Sequence, residues 1–144
     1  MKDILVGYSG FVGSNIAGQH DFTRLFNSKN IEDSYGLNPD LLVYAGIPSE
    51  MFLAEKFPEK DLSIIKNAFE NIKKINPKFI ILISTITVFD KVQGIDESYT
   101  VNPEKLSAYG KNRLLLEKFI NSNKLLSIKV YFSKSKSKIN KPSK

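Results

Sequence analysis

Cysteine and tryptophan are both missing from this chain of 144 residues, and histidine occurs once, as His20. Without thiols there is neither a disulfide framework nor thiolate chemistry, and one imidazole excludes a histidine-rich metal site. A cysteine-free composition suits a cytoplasmic protein. No stretch approaches the roughly 18 consecutive apolar residues of a membrane span. The apolar run after Met1-Lys2-Asp3 ends at Gly7, short of a signal-peptide core, so no membrane partner is expected. Acidic residues are outnumbered, 15 against 21 lysines and arginines, for a net charge of +6. Five of those lysines fall in residues 133–144, which contain no acid, and without them the remainder carries only +1. The same segment has no aromatic side chain on which a base could stack, so nucleic acid ranks last among expected partners.

The rest is an ordinary globular composition of one-domain length, 42% hydrophobic and 25% charged,. We expect a folded domain over residues 1–132 and a basic, low-complexity, disordered tail over 133–144. Apolar runs of strand length at residues 3–6, 41–45, 79–83 and 126–132, with an alternating segment at 22–26, predict five strands. Between them, residues 11–19, 58–75 and 106–120 read as helices and 31–36 as one helical turn. The clearest helix places Leu62, Ile65, Phe69, Ile72 and Ile75 on one face. Strands alternating with helices at this spacing predict an α/β fold, a doubly wound parallel sheet that binds ligands at the carboxyl ends of its strands.

Those carboxyl ends carry the motifs. The first strand runs into Gly7-Tyr8-Ser9-Gly10-Phe11-Val12-Gly13, a GxxGxxG turn between strand and helix. Glycine there admits a phosphate onto backbone N–H groups at a helix start, since no side chain stands between them. Asn27-Ser28-Lys29 follows the second strand, Ala45-Gly46 the third, and Ser84-Thr85 the fourth. Tyr109-Gly110-Lys111-Asn112-Arg113 opens the last helix. Taken alone, Ser84 reads as a packing hydroxyl, Glu117 as a surface helix partner and Asp96-Glu97 as solvated loop acids. His20 reads as a cation at the first helix's C-terminus.

In their order and spacing, from residue 4 to about 131, these pieces resemble the extended short-chain dehydrogenases/reductases, the family of sugar-nucleotide epimerases, dehydratases and reductases. The resemblance implies an NAD(P)-binding Rossmann-like fold. It implies that Gly7, Gly10 and Gly13 lie under the dinucleotide pyrophosphate, with Ser9 in the same turn, and that Phe11 and Val12 pack the helix on the sheet. Thr85 takes the place of the family's substrate-binding hydroxyl, Tyr109 that of its general acid/base, and Arg113 that of its lysine. A cation four residues along the same helix face is near enough to favour a phenolate. Asn27, Ser28 and Lys29, with Ala45 and Gly46, line the expected cofactor site.

Two departures stand out. Arginine replaces the lysine, and it is a bulkier, forked donor. No acid ends the second strand, where NAD-binding members hold the ribose hydroxyls. Lys29 could instead meet a 2′-phosphate, or be a solvated turn residue, so NAD and NADP both stay open. Family members run to about twice this length, and the second half selects the sugar. The substrate domain is therefore expected to be absent here, leaving an open sheet edge that a second copy or a complementing chain would cover.

Overall fold

The computed structural model describes residues 1–91, 94 and 98–132. The expected basic tail and the acids Asp96 and Glu97 lie outside the described residues. Five strands, β1 (Asp3–Val6), β2 (Arg24–Phe26), β3 (Leu41–Tyr44), β4 (Phe79–Thr85) and β5 (Leu126–Phe132), form one parallel sheet in the order β2-β1-β3-β4-β5. Helices α1 (Phe11–Ala17), α2 (Met51–Lys56), α3 (Pro58–Ile75) and α4 (Ala108–Ser122) connect them, with short 3-10 turns at Ile31–Ser34, Ile86–Val88 and Pro103–Lys105. The expected α/β sheet is present, and α2 is an element the sequence reading lacks.

Pleating sorts the strands into two faces. One presents Ile4, Val6, Phe26, Leu42, Tyr44, Ile80 and Leu82 to Ile65, Phe69, Ile72 and Ile75 of α3 and to Leu116 and Ile120 of α4; together they form the core. On the other face a single row of neighbours, Leu5, Val43, Ile81 and Ile128, becomes progressively more exposed: 0% and 6% for the first two, half-buried for the third, 53% for the last. Leu126, Val130 and Phe132 of β5 are exposed with it.

Helix ends follow local chemistry. Pro58 sits in the first turn of α3, where its missing N–H costs nothing, and Asn76 stops that helix in the left-handed region at φ 56°,. Ser107 caps α4 by accepting a hydrogen bond from the Gly110 N–H at 3.2 Å,. The strand order reverses between β1 and β3, because β2 lies to one side of β1 while β3, β4 and β5 lie to the other. That reversal opens a crevice at their carboxyl ends.

Candidate functional site

The turn after β1 is stitched to both neighbouring strands. Gly7 N–H donates to the Phe26 carbonyl at 2.7 Å, and Ala45 N–H to the Val6 carbonyl at 2.8 Å. Gly7 adopts φ +95°, and a Cβ there would stand 2.4 Å from the Ala45 carbonyl oxygen. A Cβ on Gly13 would stand 1.8 Å from the Gly7 carbonyl oxygen. Both positions are fixed as glycine by the fold itself. Gly10 differs: its nearest neighbour would be 3.6 Å away. Nothing in the protein requires a bare backbone there, and Gly10 faces the crevice. No side chain caps the start of α1, so its first N–H groups, which have no intrahelical partner, stay available.

Two cavities meet at this point. The first, about 410 Å³, is lined by Gly7, Ser9, Gly10, Asn27, Ser28, Ala45 and Gly46, closed below by Ile31 and by Asn67 and Asn71 of α3. The second, about 780 Å³, takes Phe11, Val12, Ser84, Thr85, Tyr109 and Arg113. Gly10, Ala45, Ile47 and Pro48 line both, so the two form one groove across the carboxyl ends of the sheet. The structure thus brings together the expected site residues except Gly13, which is buried, and Lys29, which is exposed; neither lines a cavity. The Lys29 N–H donates to Asn27 Oδ1 at 2.9 Å, while Asn27 Nδ2 reaches Ser9 Oγ at 3.4 Å.

Around Tyr109 the geometry is specific. The ring is buried, and its backbone N–H donates to Glu55 Oε1 of α2 at 3.1 Å. The guanidinium carbon of Arg113 lies 3.9 Å from its ring centroid, well inside cation–π range. Arg113 is itself 3% exposed. Its Nη1 donates to Asp61 Oδ2 on α3 and its Nη2 to the Pro48 carbonyl at 2.8 Å. Asn112 Nδ2 donates to the same Asp61 oxygen at 2.7 Å. Among the described residues the Arg113 Nε is buried without a partner. Removing one partner of such an ion pair strands a buried charge, a loss of about 3–5 kcal/mol. An exposed pair such as Lys73–Glu70 contributes about 0–1 kcal/mol. Thr85 Oγ1 shares a hydrogen bond with Thr87 Oγ1 at 3.1 Å and accepts from the Thr87 N–H at 3.3 Å, so this hydroxyl shapes the turn after β4 as well as lining the groove.

Several expectations require correction. Phe11 does not pack α1 onto the sheet; it is 85% exposed at the groove's mouth, while Val12 is half-buried. Glu117 is not a surface residue. It is buried, accepting from Ser84 Oγ at 2.9 Å and from Tyr131 Oη at 2.8 Å, and desolvation pushes its carboxyl above the usual range against those two hydrogen bonds. The Ser84 hydroxyl accordingly packs as expected. His20 turns from the helix end to Asp3, with Nε2 2.5 Å from Oδ2. That hydrogen bond, aided by Thr23, lowers the Asp3 carboxyl to about 2. The sequence reading also missed Asp61 and Glu55, and gave Gly110 and Asn112 of the Tyr109 motif no role of their own. A Cβ on Gly110 would stand 2.1 Å from the Thr87 carbonyl oxygen, so the glycine after Tyr109 is what lets α4 close on the turn after β4.

No protein-family model and no curated protein matches the chain. Solved structures do. It is similar to a dTDP-4-dehydrorhamnose reductase from Clostridium acetobutylicum, with TM-score 0.70 and 21% identity over 96% of this chain and 57% of that one. A Bacillus anthracis dTDP-4-dehydrorhamnose reductase in complex with NADP gives TM-score 0.68 and 19% identity over 90% and 53%. A UDP-glucose 4-epimerase from Stenotrophomonas maltophila with bound NAD gives TM-score 0.68 and 10% identity over 85% and 48%. The chain spans about half the length of these structures. The likeness establishes the fold, a Rossmann-type parallel sheet.

Proposed function

We infer that this chain binds NAD or NADP along its crevice and carries the acid/base half of a sugar-nucleotide reductase, dehydratase or epimerase. The observation that carries this reading is Gly10. It sits where both cavities join, and unlike Gly7 and Gly13 no contact within the protein calls for its missing side chain. A diphosphate does call for it, because only bare backbone lets phosphate oxygens reach the N–H groups. The first cavity suits an adenosine end, with Asn27 and Ser28 in place of an acid at the ribose. The second, lined by Thr85, Tyr109 and Arg113, suits the reacting end.

A bound nicotinamide supplies hydride transfer. The Tyr109 Oη moves the proton of the substrate hydroxyl or carbonyl, and Thr85 orients that same oxygen by hydrogen bonding. Arg113 holds a positive charge on the Tyr109 ring. The nucleotide-sugar class rests on the neighbours named above, which are reductases and an epimerase of such substrates. A second copy or a complementing chain would seat on the exposed apolar strip of β5,. The cysteine-free composition supports a cytoplasmic setting,.

A second reading has one observation in its favour. Both terminal nitrogens of Arg113 are already committed to Asp61 and Pro48, as befits a dinucleotide-binding module without chemistry. Calorimetry with NAD, NADP and their reduced forms tests the shared premise. Saturable heat is expected with at least one of them, and Gly10→Val should abolish it without lowering the melting temperature. No heat with any of the four overturns both readings. Tyr109→Phe separates them: hydride exchange lost with binding intact supports the enzyme, and binding without exchange in the wild type supports the module.

A further inference from the structure

We propose that Asp61 is a positioning residue for Tyr109, acting through Arg113. The inference rests on Tyr109 being the acid/base group of the groove. Asp61 belongs to α3 and Arg113 to α4, 52 residues apart in sequence, yet both are buried and directly paired. The Asp61 carboxylate does not serve the arginine alone, since Asn112 Nδ2 donates to the same oxygen. One carboxylate therefore fixes two consecutive side chains of α4. The opposite edge of the guanidinium is fixed by the Pro48 carbonyl, which belongs to the loop lining both cavities.

A planar cation tied at both terminal nitrogens cannot swing. It lies 3.9 Å from the Tyr109 ring centroid, so its fixed place sets where that ring can lie. The Tyr109 main chain is held separately by Glu55, which leaves ring rotation as the remaining freedom, and the guanidinium restricts it. Each terminal nitrogen gives one of its two N–H groups to these bonds,.

The test reads Tyr109 directly, by carbon-13 NMR of protein labelled at its six tyrosines, the Tyr109 signal being assigned by its loss in Tyr109→Phe. Asp61→Asn is expected to move the Tyr109 ring signal as far as Arg113→Met does. The double variant should move it no further, because residues acting in series are not additive. A Tyr109 signal unmoved by Asp61→Asn, or additive shifts in the double variant, overturns the proposal. A merely structural Asp61 would lower the melting temperature and leave that signal in place. Should Asp61→Asn fail to fold, Asp61→Glu replaces it, with the same two criteria against Arg113→Met. Dinucleotide titration supplies the second arm. Absence of any dinucleotide binding by wild type would instead remove the functional reading beneath it, while the NMR result on Asp61 would still stand or fall on its own.

Discussion

Three glycines in one turn hold their places for different reasons, and substitution separates them. Gly13→Ala drives a methyl into the Gly7 carbonyl oxygen, so overpacking of about 2–3 kcal/mol is expected, a fall in melting temperature of roughly 5–10 °C for a domain of this size. Gly10→Ala has room and should melt within about 1 °C of wild type while weakening dinucleotide binding at least tenfold; scanning calorimetry and titration check the two halves. The sequence marked all three glycines alike, because a motif records residue type and not which neighbour demands it. The buried charges were illegible for a related reason. Glu117 looks like a solvated helix position, and the partner of Arg113 is unreadable, until Ser84, Tyr131 and Asp61 arrive from other elements. Asp3 and His20 form another such pair, with a consequence in acid. The Asp3 carboxyl is held at about 2, below its ordinary 3.8, chiefly by the His20 hydrogen bond. A depressed carboxyl contributes stability that is complete above 3.8 and is lost as pH falls towards 2. His20→Asn should therefore flatten the fall in melting temperature between pH 4 and pH 2. An unchanged slope would show that the Thr23 hydrogen bonds suffice.

Elements were read more readily than residues, and the errors lie at their ends. Strand β4 continues two residues beyond the expected 79–83, which puts Ser84 and Thr85 in the sheet and aims them along its alternation. Helix α4 was expected from residue 106 but starts at Ala108, because Ser107 is a cap. Ser107→Ala should cost about 1 kcal/mol, or roughly 2–4 °C, and since α4 carries Tyr109 in its first turn, that cap also supports the groove. Helix α2 went unread because one and a half turns give no period, and Phe52 on it is 79% exposed. Where β4, β5 and α4 converge, Glu117 joins all three through Ser84 and Tyr131. Burial raises its carboxyl above the ordinary 4.5. The folded state thus binds the proton more tightly than the unfolded chain, and stability falls as pH rises above 4.5. Glu117→Gln removes that dependence. Its melting temperature should be flatter from pH 4.5 upward than the wild type's and no lower at pH 7. A large loss at pH 7 would show that the charged form carries the junction.

At the scale of the whole molecule, the pattern of runs and turns was enough for the α/β class and the parallel sheet, because five apolar strands separated by helices admit few other arrangements. It could not say how completely that sheet is covered. The row Leu5, Val43, Ile81, Ile128 answers that: cover is full at β1 and β3 and gone at β5. Leu126, Ile128, Val130 and Phe132 stand 69%, 53%, 36% and 42% exposed along a seven-residue strand whose outer edge pairs with nothing among the described residues. Full burial of four such side chains is worth at most about 6–12 kcal/mol, and part of each is already covered. Association itself costs about 4–15 kcal/mol in lost freedom. Side chains alone therefore give weak self-association; backbone pairing at the open edge has to add to them. The chain should accordingly sediment as a concentration-dependent mixture at tens of micromolar, and Ile128→Lys, a charge on that strand of the kind that blocks edge pairing, should return it to monomer. The substituted side chain is already half in solvent, so the melting temperature should move by less than about 2 °C. A wild-type chain that sediments as monomer throughout, or a lysine variant that still associates, would place the contact elsewhere than β5.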